Sequence, residues 1–131
     1  MQKFVDLTLK PVLIIGGALT ATAGLNAFLP RVGVEQVLKL EFVSSYTILV
    51  QHWGIMVCLM GVLMVVAAFK EGWRPPILLY AMLEKAFMAA LVGINAGERF
   101  ASGFTAPAVM DALIAVWILV YFASLRRPRS A

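Results

Sequence analysis

The sequence predicts an all-α membrane protein, a four-transmembrane-helix antiparallel bundle with both termini cytoplasmic (N-in/C-in). Three observations carry that expectation. The 131 residues are 62% hydrophobic and only 14% charged, against about 45–50% apolar and about 25% charged in soluble domains. The apolar residues gather into four runs, over 11–29, 46–69, 75–96 and 107–125, each long enough for the roughly 17–25 residues that cross a bilayer as a helix. Basic residues divide unevenly between the two ends of these runs. Lys3, Lys10, Lys70, Arg74, Arg126, Arg127 and Arg129 fall on the side of the termini, and only Arg31, Lys39 and Arg99 on the other. The asymmetry puts the termini in the cytoplasm and makes the net charge of +4 a topology signal. Little chain remains outside the runs, so one integral-membrane domain, 1–131, is expected, helical because lipid leaves every backbone group to be satisfied internally.

The first run carries no charge. It is longer than the apolar region of a signal peptide, and Asn26-Ala27-Phe28-Leu29-Pro30 is a poor cleavage context, so it is expected to be retained as a span. Gly16, Gly17, Ala21 and Gly24 make one smooth face for helix packing, with Thr20 and Thr22 between them. The loop over 30–45 mixes Val34, Val37, Leu38, Leu40 and Phe42 with Glu35, Lys39 and Glu41, a pattern that suggests a short interfacial helix on the outer surface. In the second run Gly54, Cys58 and Gly61 form another stripe of small residues. The lone Cys58 implies neither a disulfide framework nor a multi-cysteine metal site. Pro11, Pro75-Pro76 and Pro107 stand near the starts of runs one, three and four, and Gly72 and Gly97 follow runs two and three, as start and stop residues should. Tyr46, Trp53, Trp73 and Tyr121 fall near the interfaces. The seven methionines read as core and lipid filler, with a pliable pocket lining as the alternative. Arg126-Arg127-Pro128-Arg129 suits anionic lipid. Because the basic residues flank membrane spans, no nucleic-acid partner is expected.

Whatever chemistry the chain has belongs to its intramembrane polar residues, since ions at such depth are expensive. Glu84 and Lys85 lie side by side near the middle of run three. At about 100° per residue they point in different directions, so Lys85 is expected to face a neighbouring helix or protomer, or to stretch toward a polar region. Tyr80, Glu84 and Asn95 share a broad face. A second group gathers at the outer ends of the helices: Asn26, Gln51 and His52, then Asn95, Glu98, Arg99 and Asp111. His52 and Asp111 both open helices from that side and are expected to meet, with Asp111 otherwise favouring its own helix dipole. A histidine there suits hydrogen-bonded packing, acid–base chemistry or haem ligation. It is not a metal site by itself.

The layout resembles the DoxX-like superfamily of small four-helix bacterial inner-membrane proteins. The likeness lies in Gly16-Gly17, Gly24 and Leu29-Pro30, then in the outer loop, in His52-Trp53-Gly54 and Gly61, and in the basic turn into Arg74-Pro75. It covers most of the chain. It implies a bacterial inner-membrane location and an accessory role beside membrane oxidoreductases, with no site residues carried over. A second likeness is to the styrene oxide isomerases, small four-helix membrane enzymes that bind haem between protomers. It rests on size, span count and His52 near the start of run two, and would imply haem on His52. The chain departs from that pattern at Tyr80, which lies toward the opposite end from His52.

Three functional classes follow. The first is a homo-oligomeric membrane module that binds a lipophilic small molecule or supports a partner complex. The second is a small membrane enzyme acting on an epoxide, quinone or similar apolar substrate. There His52 or Glu84 would be the acid–base group and Asp111 would orient the histidine, while Asn26, Gln51, Tyr80, Lys85, Asn95, Glu98 and Arg99 would contribute to binding. The third is an oligomeric transporter with Glu84 as its protonatable site. The first is the leading expectation. Dinucleotide, phosphate-loop, zinc-protease and thiol-redox motifs are absent from the sequence.

Overall fold

A computed structural model describes residues 2–125. Among these residues seven α-helices follow one another: α1 (Gln2–Ala21), α2 (Gly24–Phe28), α3 (Pro30–Val32), α4 (Thr47–Phe69), α5 (Arg74–Ile94), α6 (Arg99–Ser102) and α7 (Thr105–Leu125). No strand occurs among the described residues. Four stretches are long and apolar enough to cross a membrane: Lys3–Phe28, Ser44–Phe69, Glu71–Ile94 and Thr105–Leu125. The expected four-helix membrane bundle is therefore what the chain forms. The basic cluster Arg126-Arg127-Pro128-Arg129 lies outside the described residues.

Helix starts follow the sequence signals at α5 and α7. Pro75 occupies the first turn of α5, and Pro107 is the third residue of α7, where a missing N–H leaves no bond unmade. Pro11 differs, because it sits inside α1 and does not open it. The helix begins earlier because residues 2–10 are amphipathic. Val5 is buried and Leu9 packs against the core, while Lys3, Asp6 and Lys10 stay exposed. The first span also breaks at residues 22–23, where Thr22 and Ala23 donate their N–H groups to Leu19 and Thr20, three residues back. Thr20 Oγ1 donates to the Gly16 carbonyl at 2.8 Å, a local bond that commonly bends helices.

The helices form a ring in which α1 packs chiefly on α4 and α5 on α7, with α4–α5 and α1–α7 closing it. The α1–α4 seam is backbone against backbone. A Cβ on Gly61 would strike the Gly17 carbonyl and the Ala21 nitrogen, and one on Gly54 would strike Ala27. The expected stripes of small residues are thus a helix contact. The half nearest the termini is solid, filled by Leu13, Met64, Leu78 and Ile118, all fully buried. Arg74 caps that end by donating Nε–H to the Ala67 carbonyl at 2.9 Å, near the C-terminus of α4 where a cation is favoured. The other half is roofed by the chain after α2. Residues 30–37 are helical, α3 continuing into a wider π turn over Gly33–Val37. The turn ends at Lys39, whose φ of 57° is left-handed. Where an interfacial helix would turn its apolar residues to lipid, Val34 and Leu38 are buried against the bundle.

Candidate functional site: a polar-walled cavity

Beneath that roof lies a cavity of about 370 Å³, within the usual range of ligand pockets. It sits where α1 breaks. Irregular backbone is tolerated at membrane depth when it lines a cavity, and Thr20, Thr22 and Ala23 do so. Most of the wall is apolar, with Trp53 and Val57 from α4, Met88 from α5 and Met110 from α7. Trp53 is held edge-on to Phe104 at 6.0 Å between ring centroids. One wall is ionic, formed by Glu84, Lys85 and Asp111.

Helix pairing builds this wall. Glu84 and Lys85 lie halfway along α5, and Asp111 lies in the second turn of α7, the helix against which α5 packs. Lys85 is only 1% exposed, its stem running between the two helices. Its Nζ donates to Asp111 Oδ1 at 2.6 Å. Glu84, one residue back, reaches the cavity from the side, with Oε2 at 3.8 Å from Lys85 Nζ, too far for a hydrogen bond. Lys85 therefore faces the neighbouring helix, one of the expected outcomes, and its partner is Asp111.

Two buried side-chain oxygens among the described residues have no hydrogen-bond partner, and both belong to residues lining this cavity: Glu84 Oε2 and Asn26 Oδ1. Asn26 is buried in α2 and donates Nδ2–H to the Ala23 carbonyl at 3.3 Å. Its Oδ1 lies so close to Gly33 that a Cβ there would collide with it. Only glycine lets the roof close on this asparagine. Both oxygens are enclosed by protein beside the cavity and do not open into it.

The remaining expected site residues lie elsewhere. His52 is on an exposed face of α4 and is not part of the cavity wall. It does not meet Asp111, which is taken by Lys85; equal depth in the membrane does not make α4 and α7 neighbours, and the ring keeps them apart. Gln51 donates Nε2–H to the Ala27 carbonyl at 3.1 Å, a clasp between α4 and α2. Tyr80 is exposed, and Asn95 bonds back to the Leu91 carbonyl at 2.8 Å. Glu98, just before α6, and Arg99, its first residue, are both exposed. Among the described residues no three His, Cys, Asp or Glu side chains converge as metal ligands. Sequence reasoning missed Thr20 and Trp53 as cavity walls; the run Thr20-Ala21-Thr22, where side-chain hydroxyls compete for backbone carbonyls, was the available signal.

No protein-family model, curated protein or solved structure matches the chain. The site itself must carry the functional reading.

Proposed function

We propose that this chain is a membrane-embedded binding module for a lipophilic small molecule with a polar head. It acts as a homo-oligomer in a bacterial-type inner membrane, with cytoplasmic termini. One observation carries the reading: an apolar cavity of about 370 Å³ has a single ionic wall. An apolar pocket with a few convergent polar groups is the general form of a small-molecule site. A packed scaffold would have filled it. The likeness to DoxX-like accessory subunits is in keeping with a module that presents its ligand to a partner complex. A second reading, acid–base catalysis on an apolar substrate such as an epoxide or quinone, is favoured by the Glu84 carboxyl on the cavity wall.

Native mass spectrometry of the protein released from mild detergent tests the proposal and reads the oligomer number together with any retained ligand. A lipophilic adduct should survive in wild type and in Leu113→Trp, whose site on α7 is exposed. It should be lost in Met110→Trp, which fills the cavity. Equal retention in both variants, or no adduct in any of the three proteins, would overturn the reading.

A further inference from the structure

The cavity's charges do not balance. Its lining carries two carboxylates, Glu84 and Asp111, against one ammonium, Lys85, and no other charged side chain. Lys85 is committed to Asp111 at 2.6 Å. Glu84 is the second carboxylate on that ammonium: its side chain is 25% exposed, and its Oε2 lies 3.8 Å from Lys85 Nζ without a hydrogen bond. One ammonium between two carboxylates leaves the wall one cation short. What the cavity lacks is therefore a positive group, and one that brings N–H donors suits the Glu84 carboxylate. Trp53 contributes an aromatic ring to the same walls, a surface to which cations are attracted.

We propose that the ligand is a lipophilic ammonium ion, a protonated amine on an apolar body, with Glu84 as its counter-ion. This rests on the cavity being a binding site and specifies what it binds. An anionic amphiphile would add a second surplus negative charge, and the only cation that could meet it is already bonded to Asp111. A neutral alcohol would satisfy an acceptor but leave the Glu84 charge uncompensated. A quaternary ammonium would balance the charge but offer no N–H. The expected preference is therefore primary ammonium, then quaternary ammonium, then alcohol, with carboxylate last.

The test uses the full chain in phosphatidylcholine nanodiscs at neutral pH, with decylammonium, decyltrimethylammonium, decanol and decanoate as probes. Tryptophan fluorescence and thermal stabilisation report binding, the latter because a ligand that binds only the folded state raises its stability. Comparing wild type with Glu84→Gln in the same bilayer cancels probe partitioning into lipid. Decylammonium should bind wild type at least about tenfold more tightly than Glu84→Gln, a difference of about 1.4 kcal/mol, while decanol should not distinguish the two proteins. If Glu84→Gln does not fold, the ranking of the four probes on wild type decides alone. Equal binding of decanol and decylammonium, or preference for decanoate, overturns the ammonium assignment and leaves the lipophile site standing. If no probe binds while wild type still carries a lipophile lost in Met110→Trp, the ammonium assignment alone fails. If the lipophile is missing too, both readings fall together.

Discussion

Removing Lys85 should destabilise the protein far more than removing Asp111, although the two form one ion pair. The reason is geometric. Lys85 is 1% exposed and has two carboxylates in reach, Asp111 at 2.6 Å and Glu84 at 3.8 Å. Coulomb attraction falls as the inverse of distance, so at equal dielectric the Glu84 interaction is about two-thirds of the Asp111 interaction. Asp111→Asn therefore leaves the buried ammonium most of its compensation, and should cost about 1–2 kcal/mol. Lys85→Met leaves two carboxylates side by side on one wall with no cation. It should cost about 3–5 kcal/mol, the usual penalty for breaking a buried pair from one side. The double variant Lys85→Met/Asp111→Leu should recover at least about 2 kcal/mol of the summed single losses, because contacting residues are not additive. Reversible unfolding in mixed micelles of dodecyl maltoside and dodecyl sulfate, followed by circular dichroism, measures all three. The reasoning fails if Asp111→Asn costs as much as Lys85→Met, or if the losses simply add.

Two further outcomes are expected. Gly61→Leu should abolish the folded bundle, since any side chain there meets the Gly17 carbonyl and Ala21 backbone, whereas Gly93→Ala in open space should stabilise α5 by up to about 1 kcal/mol; thermal unfolding of both variants decides, and a folded Gly61→Leu contradicts the close seam. His52→Ala should leave the retained lipophile and the visible absorption spectrum unchanged, because His52 lies on an exposed face away from the cavity; loss of either in the mutant would return the histidine to the site.

The architecture was legible because lipid enforces it. Charges are sparse within the spans and crowd their ends, so the ends of the apolar runs mark helices α4, α5 and α7 to within a few residues. Where the rule is weaker the reading slipped. The first helix was started at Pro11 because charges end there, yet Val5 and Leu9 continue the helical face down to Gln2. Glu84 and Lys85 stood out through their depth alone. Their partner did not, because Asp111 is 26 residues away from Lys85, and nothing in one dimension says that α5 packs on α7. The expected His52–Asp111 contact failed for the same reason: sequence sets depth, but only the ring order sets which helices are neighbours. The cavity was illegible altogether. It is a gap left where α1 stops at Ala21 and the chain resumes at Gly24, and a gap has no residues of its own.

The energetics of the ionic wall bear directly on why it exists. Cohesion between α5 and α7 does not require ions. Ala81, Leu78, Ile114 and Ile118 already fill the contact with apolar side chains, and a buried ion pair is on average no better than well-packed hydrophobic residues of similar volume. Cohesion accounts still less for Glu84, which adds a third charge and leaves one oxygen unbonded. The cluster also sits on the cavity, not in the solid half of the bundle, where the same helices pack without a charge. A chain selected only to hold four helices together gains nothing from such an arrangement, whereas one that must recognise a polar head in lipid needs a fixed charge at that depth. Glu84→Gln separates these cases. If it folds as stably as wild type yet loses its lipophile, the surplus carboxylate serves the ligand; if it unfolds, it serves the fold.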